Sequence, residues 1–564
     1  MRPKHHPIIL ILLVVYSGNI FGQFGPIGYD FKDPYVEFEG LKFAVRLSTD
    51  NNIYCPSPSH LEVSRSNDRE LVLSSNMLSA AGGQLMSEGN IRLIINDLGN
   101  SRFTLRASGG HPAEKCKTIL ILIKGINVKS MVSEYPVAKG VKEYSNNNIR
   151  VSYPSRAATM PLVFFPSADK EWFVLSKDKE IRRKGFACSY DHLNKEPVIL
   201  ISHDEDSRKI NERIESPEWI LGSGESRLNL VKERCDDLEK YFNIKQYKDN
   251  PISSSIDKIK LVVFFHGIHF TGHMFNTFKQ MEAQLNWICQ SIDGENVIAF
   301  LPAWDGRYYN TYPEHEPEPR MGGADGLRNF VDTAHDLGVK VVLMLGGPNL
   351  ATFKFLKEHN MMDAALLKEN GFPQVQDWLD WNIDLSIETI GMIMNFGHPD
   401  YNQYMIDKTV DLFDSYNVDG VFLDGTLRWE NSPDYSAYEG LLRYTGELRK
   451  RYPDKWLMGE DGYDVVYGLF DMFHTSGGPL GLENFLLRYT RQFYYLSYPA
   501  ENGSSGVHEI GWSVKSPTIT SADPNYTIPS LSLIHGDIDK YGDTIIEKIN
   551  RYKTWELKRC PIMD

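Results

Sequence analysis

The 564-residue chain is poor in cysteine: Cys55, Cys116, Cys188, Cys235, Cys289 and Cys560 are scattered, and no two form a CxxC pair. That spacing excludes a zinc ribbon or a thioredoxin-type redox site. Excess positive charge is also missing, with 60 Lys and Arg against 74 Asp and Glu and a formal net charge of −14. Without a local basic patch such a chain repels phosphate backbones, which excludes nucleic acid as a partner. There is no GxSxG nucleophile elbow, no HExxH zinc pair, and no GxGxxG after the apolar run Leu261–Phe265. Esterase, metalloprotease and dinucleotide chemistry therefore lack their signatures, and neither a cofactor nor a metal is expected. His266, His269 and His273 are close in sequence, but no carboxylate-rich set accompanies them as metal ligands would require.

Long apolar runs are absent as well. The N-terminus has a basic leader, Met1 to Pro7, an uncharged stretch from Ile8 to Tyr16, and small and polar residues to Gln23. The stretch is shorter than the ~20 residues a membrane span needs. It predicts a secretory signal over residues 1–23, removed near Gly22 to Phe24, no membrane span afterwards, and a secreted or periplasmic protein.

What the chain does contain is the material of large folded domains: 42% apolar residues, with 29 Tyr, 28 Phe and 10 Trp. From about Asp33 to Lys177 short alternating runs dominate, such as Val36, Phe38, Leu41, Phe43, Val45 and Leu47, separated by Gly, Ser and Asn clusters. Period two at this density predicts an antiparallel β-sandwich over residues 24–210. A charged connector with a helical segment follows over 211–258 and ends in Pro251-Ile-Ser-Ser-Ser255.

From 259 to 564 strand and helix patterns alternate. Leu261–Phe265, Val297–Leu301, Val339–Leu345 and Val418–Leu423 are buried-strand runs. Trp456–Gly459, Gly468–Phe473 and Ser530–Ile534 are weaker ones. Amphipathic stripes lie between them, among them Leu327, Phe330, Val331 and Ala334; Ile406, Val410 and Phe413; and Tyr438, Leu441 and Leu448. Seven βα-like units, with one strand unplaced, predict an α/β fold of (β/α)8 TIM-barrel type.

In such a barrel, chemistry sits where strands end. Those positions hold His266, Gly267 and His269 after the first run; Trp304, Asp305, Arg307 and Tyr308 after the second; and Asp424, Arg428 and Trp429 after the fourth. Glu460 and Asp461 follow the fifth, His474 the sixth, and His535 and Asp537 the last. Carboxylates, imidazoles and aromatics together suit a carbohydrate, which offers hydroxyls to acceptors and a C–H face to rings. Asp424 and Glu460 terminate successive parallel strands ~4.8 Å apart. They are therefore the candidate catalytic pair, at the ~5–5.5 Å spacing of retaining glycoside hydrolysis. In this reading Asp424 is the nucleophile and Glu460 the acid/base, held protonated by burial and its neighbour's charge. Asp461 is a rival acid, and helix or turn capping is the competing role for either member of the pair. His266, His269, Trp304, Asp305, Arg307, Tyr308, Arg428, Trp429, His474, His535 and Asp537 are candidate substrate contacts, with Trp304, Tyr308, Tyr309 and Trp429 as stacking rings.

Three segments carry a family resemblance: Val418 to Gly425, Pro302 to Tyr309, and Gly322 to Val341. They are similar to the barrels of glycoside hydrolases in the broad superfamily of α-amylases, α-galactosidases and endo-α-N-acetylgalactosaminidases, over roughly Lys260 to Asp543. In two of those branches the nucleophile is an Asp ending strand four and the acid/base a Glu ending strand five, positions matched by Asp424 and Glu460. The α-amylase pattern has Arg two residues before the nucleophile, where this chain has Phe422. The resemblance thus implies an exported retaining α-glycosidase acting on oligo- or polysaccharide, other than an amylase proper. The alternatives are a carbohydrate-binding protein on a degenerate barrel, and an inverting or β-specific glycosidase.

Overall fold

The structure, a computed structural model, describes residues 33–133, 149–191, 194–268, 272–306, 310–348, 350–367, 371–375, 391–475, 482–497, 527–554 and 556. The candidates His269, Arg307 and Tyr308, together with Tyr309, lie outside them, as does the leader at residues 1–23.

The N-terminal half is an antiparallel sandwich. One layer runs through Ile149–Tyr153, Lys184–Asp191, Glu196–Asp204, Cys116–Lys124 and Leu41–Thr49. The other runs through Glu70–Ala80, Leu85–Gly99, Arg102–Gly110, Trp219–Ser223, Glu171–Ser176 and Leu162–Pro166. Ile53–Pro56 pairs with a strand of each and stitches the layers together. Side-chain alternation sends Phe43 of one layer against Phe103 of the other, and Phe186 against Trp219, edge to face at 6.4 and 5.9 Å. The continuous apolar run from Ile119 to Ile123 breaks that alternation for a physical reason. Its outward residues Leu120 and Leu122 pack with Ala44, Val198 and Leu200 in a separate small core.

Residues 211–223, read from sequence as connector, belong to the sandwich instead. Arg213–Glu215 pairs with Ser108–Gly110, and Trp219–Ser223 is laddered on both edges. The polar sequence 211–217 hides the short first strand. The helical segment then appears as α1, Arg227–Tyr241, with Ser226 Oγ accepting from the Asn229 N–H.

The second half closes an eight-stranded parallel barrel: β1 Leu261–Phe265, β2 Val297–Leu301, β3 Lys340–Leu345, β4 Gly420–Leu423, β5 Trp456–Glu460, β6 Met472–Thr475, β7 Arg491–Ser497 and β8 Ile528–Leu533. The strand that sequence leaves unplaced is β7. It opens on Arg491-Gln492 and loses register with β8 between Phe493 and Leu496, so it lacks the apolar run of its neighbours. The sixth run is also displaced, because Tyr467–Leu469 is a 3-10 turn and the strand begins at Met472. The amphipathic stripes fold as expected into helices α2 Gly323–Asp336, α3 Pro399–Tyr416 and α4 Ala437–Arg451, each burying its apolar face on the barrel.

The barrel is filled, not hollow. Phe264, Phe300, Phe422 and Phe493 meet at its axis with centroids 4.7–6.2 Å apart. This aromatic layer is the floor of the mouth above it. Among the described residues no helix is long and apolar enough to cross a membrane.

Candidate active site

The period of two along each strand decides which residues stand over that floor. Phe422, Met458 and Met472 face the lumen, so Asp424, Glu460 and His474, each two residues later, face it too. Register does the rest: Leu423 pairs with Gly459, and Glu460 pairs with His474. The three side chains therefore stand level on β4, β5 and β6.

The structure brings the two carboxyls that the sequence singles out together at the mouth. Asp424 and Glu460 lie in hydrogen-bond contact, closer than the ~5–5.5 Å anticipated. Two carboxyls in contact share a proton, which removes the repulsion that would otherwise part them. Asp424 is buried, and Glu460 is partly open. Burial pushes the Glu460 pKa up, but the hydrogen bond with Asp424, the charge of Arg156, His474 and the Gly425 N–H together outweigh it, and it ends below its ordinary value. The Gly425 N–H donates to Glu460 Oε2 at 3.3 Å. The pair titrates as one unit, and the groups around Glu460 act together to keep a negative charge on it.

The turn after β5 is built around Thr426. Its hydroxyl lies against the carbonyl oxygens of Glu460 and Asp461, donating at 2.7 Å to the first. The approach requires Gly459, where a Cβ would fall 2.8 Å from Thr426 Oγ1. Asp461 sits in the left-handed region at φ 50° and its N–H donates to the His474 carbonyl. Its carboxylate is bound by Arg156 of the sandwich, which leaves the rival acid engaged elsewhere. Asp464 faces away from the mouth: it accepts from Tyr153 at 2.7 Å and Arg234 at 2.8 Å, fully buried between the two domains.

His474 is pressed among Phe264, Phe422 and Phe493. Burial lowers its pKa, only partly offset by the charges of Glu460 and Asp461. His266 is buried against Phe275, edge to face at 5.7 Å.

The loop after β2 supplies a group that sequence reasoning missed. His315 donates from Nδ1 to Asp305 Oδ2 at 2.7 Å, while its Nε2 accepts from the Gly346 N–H at 3.0 Å, which fixes the tautomer. Tyr312 stands beside them, its ring 5.1 Å from that of His315. Burial raises the phenol's pKa well above its ordinary value, and the charges of Asp424, Asp305 and Glu460 add to the effect, so Tyr312 lies within the field of the whole carboxyl group. A tyrosine three residues before a histidine, in a polar loop after a buried strand, is the only signal the sequence offers for this group.

Other candidates fall elsewhere. Trp304 is fully buried and donates its indole N–H to the Met344 carbonyl, so its ring is barrel wall with no face for a sugar. Trp429 is half-buried against the core, and Arg428 closes a turn on the Gly425 carbonyl. The His535 N–H donates to the Phe275 carbonyl, and Asp537 Oδ2 accepts the Ile534 N–H at the start of the last helix, a turn-stabilising contact. Among the described residues no three His, Cys, Asp or Glu side chains stand together as metal ligands.

This fold is that of the (β/α)8-barrel glycoside hydrolases that carry a β-rich domain beside the barrel. Among solved structures the chain resembles α-N-acetylgalactosaminidase NagBb of Bifidobacterium bifidum, with a TM-score of 0.57 at 10% identity over 93% of this chain and 94% of that one. The same enzyme in complex with Gal-NHAc-DNJ gives a TM-score of 0.61 at 10% identity, over 92% and 93%. By sequence the chain resembles the 1,4-α-glucan branching enzyme GlgB of Rhizobium radiobacter, 28% identical over 173 residues, 29% of this chain and 22% of that one. A second GlgB, from Xanthomonas oryzae pv. oryzae, is 28% identical over 129 residues, 22% of this chain and 16% of that one. The chain thus spans about a fifth of the length of the curated relatives it matches. No family model matches it.

Proposed function

We propose that the chain is an exported glycoside hydrolase, a retaining α-glycosidase acting on oligo- or polysaccharide by double displacement. The observation that carries this reading is the contact between the Asp424 and Glu460 carboxyls at the ends of β4 and β5. Double displacement needs one carboxylate to attack and one carboxylic acid to protonate the leaving oxygen, and two carboxyls in contact can supply both. Carboxyls in contact also argue against inversion, which needs room for a water between groups ~6.5–9.5 Å apart.

As positive charge grows at the anomeric carbon over Asp424, its anionic form is stabilised and the pair's proton is held by Glu460. Glu460 then protonates the departing oxygen while Asp424 bonds to the anomeric carbon; afterwards Glu460 takes a proton from water, and the water's oxygen displaces Asp424. Asp305, Tyr312 and His315 brace the wall of the mouth beside the pair. The α direction is supported by the names of the similar proteins, a 1,4-α-glucan branching enzyme and an α-N-acetylgalactosaminidase. Export is supported by the leader sequence before Gln23.

The test is a panel of aryl α- and β-glycosides and oligosaccharides, with the first-formed anomer followed by NMR. Hydrolysis of α-glycosides with the α anomer appearing first is expected. An inverted anomer would replace double displacement by single displacement, and binding without turnover would leave a carbohydrate-binding protein.

A further inference from the structure

Among the described residues of the sandwich, one loop reaches the catalytic mouth. It runs from Tyr153 to Thr159, and both ends are fastened to the same barrel residue. The Tyr153 hydroxyl donates to Asp464 Oδ1 at 2.7 Å, and the Asp464 N–H donates to the Thr159 carbonyl at 2.8 Å. Between those fastenings Ser155 and Ala158 exchange backbone hydrogen bonds at 3.0 and 3.1 Å, and the Ser155 hydroxyl accepts from the Ala157 and Ala158 N–H groups. The result is a tight turn with Arg156 at its tip. Arg156 Nε donates to Asp461 Oδ2 at 2.5 Å. Asp461, an L-residue in the left-handed region, directly follows Glu460.

We propose that the N-terminal sandwich completes the barrel's site through Arg156, a positioning residue that holds Asp461 in its strained turn and fixes a positive charge beside the Asp424–Glu460 pair. This inference rests on the reading of that pair as the catalytic carboxyls. A strained backbone next to a functional group persists only where its surroundings over-determine it. Here the determinants are the Arg156 ion pair, the Thr426 hydroxyl and the Asp461 N–H to His474 bond. The groups that face Glu460 are Asp424 from β4, Asp461 beside it on the chain, His474 from β6, Tyr312 from the loop after β2, and Arg156 from the other domain. Among the described residues in this group Arg156 alone brings a permanent positive charge, and it acts in the direction that keeps a negative charge on the pair.

Removing that charge raises both macroscopic pKa values of the pair, whichever carboxyl is assigned to each. The Arg156 side chain is 59% exposed, and its loop stays fastened through Asp464, so Arg156→Gln and Arg156→Lys in the full chain retain the fold. The profile of kcat/KM against pH, on an aryl α-glycoside that the wild type hydrolyses, is expected to move upward on both limbs by about half a pH unit in Arg156→Gln, solvent screening keeping the shift small. Arg156→Lys is expected to restore most of it. A fall in activity with both limbs unmoved would overturn the proposal and leave Arg156 as a domain fastening. A second measurement does not depend on catalysis: carboxyl 13C NMR of glutamate-labelled protein, with Glu460 assigned by its loss in Glu460→Gln. An upward titration shift in Arg156→Gln upholds the proposal even if no glycoside is cleaved and the hydrolase reading fails. An unchanged titration overturns it even if the enzyme is active.

Discussion

Asp305 and His315 form a pair sealed from solvent, with one carboxylate oxygen taken by the imidazole and the other, Oδ1, without a hydrogen-bond partner among the described residues. A buried carboxylate that holds the His315 imidazole braces the wall of the mouth, and removing it frees that ring. Asp305→Ala is therefore expected to raise KM and to lower kcat/KM about 100-fold, the loss of one charge-assisted hydrogen bond at about 1.5–3 kcal/mol. Unchanged steady-state kinetics in a folded variant would remove Asp305 from the site.

The carboxyl pair makes a two-part prediction. Asp424→Asn keeps the shape and removes the attacking charge, so turnover is expected to fall by several orders of magnitude on every substrate. Glu460→Ala should cripple substrates with poor leaving groups and spare the first step for activated aryl glycosides, with azide restoring turnover and giving a product of retained anomeric configuration. Near-native activity in Asp424→Asn sinks the assignment.

Asp464 is expected to matter for folding, not chemistry. Its carboxylate and the Arg234 guanidinium are both buried, and the Tyr153 hydroxyl completes the contact. Asp464→Asn strands the arginine charge, and a loss of about 3–5 kcal/mol is expected, read from urea unfolding. A folded variant of wild-type stability would show that the junction does not depend on this pair.

Gly346 tests the mouth from its other side. A Cβ there would fall 2.4 Å from Tyr312 Cδ2, so Gly346→Ala must push the tyrosine ring aside. The expected cost is about 1–3 kcal/mol of stability, with a disproportionate drop in kcat/KM because the phenol leaves the field of the carboxyls. Equal losses in Gly346→Ala and Tyr312→Ala would support the link; an active Gly346→Ala with Tyr312→Ala inactive would break it.

Much of this architecture is legible in one dimension. The period of two before Lys177 and the alternation of strand and helix after Leu261 follow from how each element buries one face, so hydropathy alone separates sandwich from barrel. Asp424 and Glu460 stand out because a carboxylate directly after a buried parallel strand must emerge at the barrel's mouth. The strand β7 was not legible, since Arg491 and Gln492 open it and its ladder slips. Trp304 shows the opposite failure: a tryptophan in a polar loop reads as a sugar platform, yet its ring is buried and its indole N–H donates to the Met344 carbonyl.

The sequence by itself determined the two fold classes and the two carboxylates, because both depend on local periodicity and on where strands end. Tertiary structure alone decided which groups surround the pair. Arg156 meets Asp461 across 305 residues, and Tyr312 and His315 come from a loop whose path no local pattern dictates. Charge acts through space, so the field at Glu460 exists only after the sandwich loop is fastened to Asp464 and parallel register has set β4, β5 and β6 level.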